Sequence, residues 1–345
     1  MSDKEMPDEF ELIKRHLAPL SAKEPGAFLL TDDAAVLPSK AGLETVITMD
    51  TLVSGIHFLE STAPEYIASK AVRVNLSDLA AMGAQPAAYT LSLALPEHIQ
   101  AGLHPQVDGV WLERFCEALA VEQELFGVTL IGGDTVSTPG PLTLTITAIG
   151  YVEQGQAIKR STARAGDLVV VSGTIGDAAF GLLALKGELE ALSAPSLEIL
   201  IERQHRPGPQ IALGRSLLNF ANAAIDVSDG LVQDLGHICT ASGVSAVIEL
   251  EKIPTSAALD EALRRSSFVK SDVLGGGDDY ELLFTIPPEC EAGLQTISKE
   301  RNVILTVIGK VHQETGAIGE VIVIDHAGMP LDVMVTGFRH FGSMT

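Results

Sequence analysis

No stretch of this sequence approaches the ~18 apolar residues needed to cross a bilayer. Its first ten residues, MSDKEMPDEF, are charged where a secretory leader would need an apolar core. The expected compartment is the cytoplasm, with no membrane partner. Cysteine is scarce: Cys116, Cys239 and Cys290 stand far apart with no C-x-x-C pair, which argues against both a thiolate zinc site and a disulfide framework. Positive charge is scarce as well. The 345 residues hold 23 Lys and Arg against 45 Asp and Glu, a formal net charge of −22, and such a surface repels a polyphosphate backbone. Nucleic acid is not an expected partner. Familiar phosphate and cation signatures are also missing. Gly309-Lys310 is followed by Val311, so no P-loop forms; no G-x-G-x-x-G occurs; and DVSDGLVQDLGH lacks the sixth-position glycine and final glutamate of an EF-hand.

What is present suits a folded protein of two domains. Hydrophobic residues make up 46% and charged residues 20%, enough for a sizeable core, and the length exceeds that at which one core usually keeps growing. FELIKRHLAPL spaces Phe10, Ile13 and Leu17 as a short helix stopped by Pro19. TVITMD (45–50) reads as a strand ending on an aspartate, followed by a glycine turn in TLVSGIHF. A helix is predicted from Tyr66 to Met82, stopped by Gly83 and Pro86, and then a strand in AAYTLSLALP. Residues 111–126 read as a helix, VTLIGGDT (128–135) as a strand running into a glycine turn, and PLTLTITAIGYV as an alternating strand. The polar stretch 153–167 marks a boundary between domains 1–152 and 153–345. Beyond it, DLVVVSG, SAVIEL, YELLFTI, VILTVIG and EVIVI read as strands. TIGDAAFGLLAL opens a helix after a glycine turn, 190–210 reads as a polar segment, and AAIDVSDGLVQDLGHI as strand, tight turn and helix. Without strict β-α-β alternation, the expectation is α+β or mixed α/β domains and not a doubly wound sheet.

The chemistry resides in aspartates. Ile67, Ala71, Val74, Asp78 and Met82 form one stripe of the expected helix, so Asp78 falls on an apolar face. A carboxylate buried there needs a metal ion, a basic partner or an open cleft. Asp32 and Asp33 follow LLT, Asp50 follows TVITM, Asp134 follows LIGG, and Asp226 and Asp229 lie in IDVSDG. Strand ends are where open sheets bind ligands, and also where aspartates serve as turn formers or caps. All-oxygen carboxylate ligation selects hard cations, and Mg²⁺ usually bridges such groups to substrate phosphates. GGD (132–134), SGTIGDAAFG (172–181) and LGGGDDYE (274–281) can bring backbone N–H groups to an anion or serve as plain turns. Lys159, Arg160 and Arg164 suit phosphate or a solvated loop. His57 follows Asp50 by seven residues, with no Ser or Cys spaced for a triad. The residues thus describe a magnesium-dependent phosphotransferase.

TDDAAVL, TMDTLVSGIHF, ASKAVRVNLSDLAAMGAQP, LIGGDT, AIDVSDGLVQDLGHI and GGGDDYELLF, in that order, resemble the thiamine-monophosphate kinase family. That family lies within the superfamily of aminoimidazole ribonucleotide synthetase, selenophosphate synthetase and a hydrogenase-maturation protein. HRPGP and GxDYEL point to the kinase branch. The resemblance implies a two-domain aminoimidazole ribonucleotide synthetase-like architecture and a homodimer paired through N-terminal strands. The N-terminal domain would bind ATP and magnesium and dimerise, and the C-terminal domain would complete the active site. The implied reaction is direct transfer from ATP to thiamine monophosphate, giving thiamine diphosphate, without a phosphoenzyme or a catalytic side chain. Carried over by motif, Asp33, Thr48, Met49, Asp50, Asp78, Asp134, Asp226 and Asp229 would bind several Mg²⁺ ions. Gly133, Asp134, Arg160 and Ser228 would contact ATP, and His57, Asp278 and Phe338 the thiamine part. Three positions depart from the family pattern: Thr31 replaces glycine, Met49 replaces threonine and so offers only its carbonyl, and Asp278 replaces a longer glutamate. An amidine-cyclising synthetase and a nucleotide-binding regulator without chemistry are the alternatives.

Overall fold

The apolar spacing of FELIKRHL does produce a helix, but one that changes pitch. Glu9–Leu12 is α-helical (α1), Ile13–Leu17 continues with π geometry, and Ala18–Ser21 tightens to a 3₁₀ turn. Pro19 therefore does not end the segment. It lies in the first turn of the 3₁₀ helix, where a missing N–H is tolerated. This computed structural model describes residues 9–96, 107–189, 192–313, 319–332 and 337. Two compact units emerge, Met1–Leu79 with Gln85–Gly155, and Ala80–Ala84 with Gln156–Thr345.

The first unit is built from β1 (Leu43–Val53), α2 (Pro64–Ala81), β2 (Gln85–Pro96), α3 (Gly109–Phe126), β3 (Thr129–Thr138) and β4 (Thr143–Glu153). Its four-stranded sheet has the order β1-β4-β2-β3; β4 runs antiparallel to both neighbours, whereas β2 and β3 are parallel. Along β4 the alternation of the sequence becomes burial, with Leu144, Ile146, Ala148 and Val152 inside. Helix α3 starts where Asp108 accepts the Trp111 N–H at 2.8 Å and ends at Gly127, with φ +66°.

Two readings of this unit need correction. Asp50 does not end its strand, because β1 pairs with β4 through Asp50 opposite Ile146 and on to Val53 opposite Thr143. Nor do Gly132 and Gly133 form a turn. They lie inside β3, where the register with β2 slips between Tyr89 and Thr90 and leaves Ile131 unopposed. A Cβ on Gly133 would stand 1.9 Å from the Leu91 carbonyl oxygen, so this glycine serves strand approach and not chain reversal.

The second unit contains β5 (Leu168–Ser172), α4 (Asp177–Leu185), α5 (Ala194–His205), α6 (Ile211–Leu217), β6 (Ala223–Asp226), α7 (Leu231–Ser242), β7 (Val244–Glu249), α8 (Ala257–Arg265), β8 (Leu282–Ile286), α9 (Glu291–Arg301), β9 (Leu305–Gln313) and β10 (Val321–Ile324). The six-stranded sheet runs β10-β7-β9-β5-β8-β6, antiparallel except for β10 with β7. Both faces are covered, which explains the unbroken apolar runs of β5 and β8. Val169, Val171 and Leu283 enter one core cluster, while Val170, Leu282 and Phe284 enter another. The segment 190–210 is not merely polar connection, since α5 occupies it. Ser193 caps that helix by accepting the Ser196 N–H at 3.4 Å, and Pro207 and Pro209 follow its end. Both units are mixed α/β, and among the described residues no helix is long and apolar enough to cross a membrane.

Candidate active site

In β1 the side chains alternate, so Thr48 and Asp50 share a half-buried face while Ile47 and Met49 point the other way, 64% and 63% exposed. Met49 can thus offer only backbone to the face of Thr48 and Asp50. Opposite them, Asn75 and Asp78 lie one turn apart on α2. Thr48 Oγ1 donates to Asp78 Oδ2 at 2.5 Å, and the Asp50 N–H, on the outer edge of the sheet, donates to Asn75 Oδ1 at 3.1 Å. Asn75 Nδ2 donates to the Ala71 carbonyl at 3.0 Å, which fixes its amide orientation. Thr48, Asp50 and Asp78 are therefore one patch, and Asn75 belongs to it although no sequence argument had selected it. Its place three residues before Asp78 in NLSD was the available signal.

After β1 the chain turns at Gly55, φ +81°, and brings the His57 ring back. Its Nδ1 accepts the Val53 N–H at 3.0 Å, so the neutral ring carries its proton on Nε2. Lys70, only 3% exposed, donates to the His57 carbonyl at 3.0 Å and holds the turn from below. Asp33, Gly133 and Asp134 line a single cleft with Asp32, floored by Leu91 and Ile131. The acidic pair is presented by strained backbone, since Phe28, Leu29 and Leu30 all have φ between +51° and +57°. Thr31 closes this turn by donating its hydroxyl to the Phe28 carbonyl at 2.6 Å.

In the second unit, two loops are joined by backbone bonds. Val227 N–H donates to the Glu281 carbonyl, Tyr280 N–H to Val227 and Asp278 N–H to Ser228, each at 2.8 Å. Asp226 ends β6 and is 3% exposed. Asp234 Oδ2 accepts the N–H groups of Ser228, Asp229 and Gly230 at 3.0–3.1 Å. Burial pushes the Asp234 carboxyl up to about 7, against the pull of those N–H bonds. Asp229, Asp234 and His237 bring one ligand atom each within 4.8 Å of the others. Asp234 and His237 were missed in the sequence, where their one-turn spacing on α7 was the only sign.

Asp226, Ser228, Asp229 and Asp278 are thus assembled, but Arg160 is not with them. Lys159 bridges to Ala223 at the start of β6, and the Arg160 carbonyl accepts from Ser242 Oγ at the C-terminal end of α7, a helix about 18 Å long. Ser228 precedes the other end of that helix. Phe338 lies outside the described residues.

The chain matches two family models, AIR synthase related protein, N-terminal domain, over residues 31–152, and AIR synthase related protein, C-terminal domain, over residues 164–322. It is 41% identical over 336 residues to the thiamine-monophosphate kinase of Haemophilus influenzae, covering 96% of this chain and 98% of that one. The chain belongs to the thiamine-monophosphate kinase family. Among solved members, the thiamine-monophosphate kinase of Stenotrophomonas maltophilia superposes with a TM-score of 0.77 at 40% identity, covering 92% of this chain and 96% of that one. AaThiL complexed with AMPPCP and TMP superposes with a TM-score of 0.75 at 32% identity, covering 92% and 98%.

Proposed function

We propose that this chain transfers the γ-phosphoryl group of ATP to thiamine monophosphate, giving ADP and thiamine diphosphate by direct in-line transfer in thiamine diphosphate biosynthesis. The observation that carries this reading is the nearly full-length likeness to kinases of that name, one of them complexed with AMPPCP, an ATP analogue, and TMP. The acceptor is a phosphate oxygen already ionised near neutral pH. No strong general base is needed, and positioning with charge neutralisation does most of the catalysis.

The donor chemistry fits a hard cation. Thr48, Asp50 and Asp78 in one patch, and Asp33 with Asp134 in the cleft, offer only oxygen; Asp226 and Asp229 offer the same in the second unit. Mg²⁺ held by these carboxylates would supply positive charge to offset the repulsion between donor and acceptor phosphates. Thr48 orients Asp78, and Asn75 fixes the strand segment that carries Asp50. Gly133, Asp134 and Ser228 are assigned to ATP; Arg160, at the other end of α7 from Ser228, is left out of that set. His57, with its proton on Nε2, acts toward the acceptor as a hydrogen-bond donor. Asp278 and Phe338 suit the cationic, flat thiazolium ring through charge and an aromatic face. The enzyme works as a homodimer in the cytoplasm, a reading supported by edge strand β1 with its exposed Ile47 and Met49. The free cysteines Cys116, Cys239 and Cys290 suit a reducing compartment.

Phosphorus NMR of a reaction with ATP, Mg²⁺ and thiamine monophosphate tests the activity. Resonances of thiamine diphosphate and ADP are expected. Nucleotide binding with no product would instead identify a regulator.

A further inference from the structure

The stretch RQHRPGP (203–209) closes α5, and its two prolines stop the helix so that Arg203 and Gln204 occupy the last turn. Both reach the loop that carries Asp278. Gln204 Nε2 donates to Asp278 Oδ2 at 3.1 Å, and Arg203 Nη2 donates to Glu281 Oε1 at 2.8 Å. Gln204 and Glu281 are 4% and 2% exposed, so water competes weakly for either bond. Ser172 Oγ adds a donor to Glu281 Oε2 at 2.5 Å, and Tyr280 Oη donates to Asp278 Oδ1 at 3.3 Å. The loop needs such support. Asp278 and Tyr280 hold φ of +70° and +52°, a region that side chains other than glycine keep only when the surroundings enforce it.

Helix α5 is itself set at close range. A Cβ on Gly181 of α4 would lie 2.1 Å from the Leu200 carbonyl oxygen and 3.0 Å from Gln204 Cβ. The Gln204 amide has one sensible orientation, because reversing it would place oxygen against the Asp278 carboxylate. Its Oε1 is buried with no partner among the described residues, so Gln204 tolerates an unmet acceptor in keeping the bond to Asp278.

We infer that Gln204 is a positioning residue for the acceptor: its amide holds the Asp278 carboxylate in one orientation toward the cationic ring, making the end of α5 a determinant of acceptor affinity and not of nucleotide affinity. This rests on the reading of Asp278 as an acceptor contact. The test is steady-state kinetics of the full-length enzyme with ATP, Mg²⁺ and thiamine monophosphate. Gln204→Leu is expected to raise KM for thiamine monophosphate about tenfold, with KM for ATP within about twofold and kcat within about threefold. Gln204→Glu places a second carboxylate against the first, and two such groups share a proton only at low pH. Its KM for thiamine monophosphate is expected to climb with pH beyond that of the natural enzyme and to approach it at the acid end. If Gln204→Leu does not fold, this profile still decides.

Equal rises in both KM values with a lowered Tm, or an unaltered pH profile in Gln204→Glu, would overturn the inference. Asp278→Asn separates the two layers. An unchanged KM in that variant removes the acceptor contact itself. A raised KM there, with both Gln204 variants unchanged, removes the positioning role alone.

Discussion

Asp279 adjoins Asp278 and has a different task. Its side chain, 1% exposed, accepts the Gly176 N–H at 2.7 Å and the Ala178 N–H at 3.4 Å, capping α4 where Gly176 has no side chain to offer. Burial pushes this carboxyl up to about 8, opposed by the nearby Arg203 guanidinium. The ordinary value is 3.8; between the two, the folded state keeps a proton that the unfolded chain has lost, so stability falls as pH rises from about 4 to about 8. Urea midpoints measured at about pH 5 and about pH 8 are expected to show this decline, and Asp279→Asn to flatten it. Asp50 and Asp134 are instead proposed metal ligands. Asp50→Asn and Asp134→Asn keep the shape and lose the charge, so kcat/KM is expected to drop about a hundredfold or more while the thermal midpoint holds; normal turnover in either would sink the metal assignment. At this scale Asp78 was legible, since a carboxylate on a buried stripe demands a partner. Asn75 was not, because its role depends on which edge N–H of β1 faces it.

Elements were legible wherever period and punctuation agreed. Helix α2 with Gly83 beyond it, and the strand–turn–helix of IDVSDGL, follow their patterns closely. Elements whose character is set by neighbours were not. Gly132-Gly133 after an apolar run normally reads as a turn, yet the pair continues as strand paired with β2, whose Leu91 comes too close to Gly133 for a side chain there. Gly133→Ala is accordingly expected to cost about 1–3 kcal/mol in urea unfolding, with the sheet around Leu91 forced to shift. Helix α5 escaped notice because few of its residues are buried, Leu200, Gln204 and His205 among them, leaving little apolar period to read.

For the molecule as a whole, length and the change of composition after β4 were enough to expect two parts, and the mixed sheets follow from the absence of strict alternation. The pairing of strands in space was not legible, because an order such as β10-β7-β9-β5-β8-β6 depends on long-range contacts. The exposed row of Ile47 and Met49 on edge strand β1 suits a second copy of the chain. If the proposed dimer forms through β1, Ile47→Arg is expected to lower the sedimentation coefficient to that of a monomer, and an unchanged value would contradict that pairing. The central claim, a magnesium-dependent kinase acting on thiamine monophosphate, is tested most directly by ADP release with two candidate acceptors, each with and without Mg²⁺. The account predicts release with thiamine monophosphate only when Mg²⁺ is present, and none with formylglycinamidine ribonucleotide. Release with the amidine precursor, or release that ignores Mg²⁺, would contradict it.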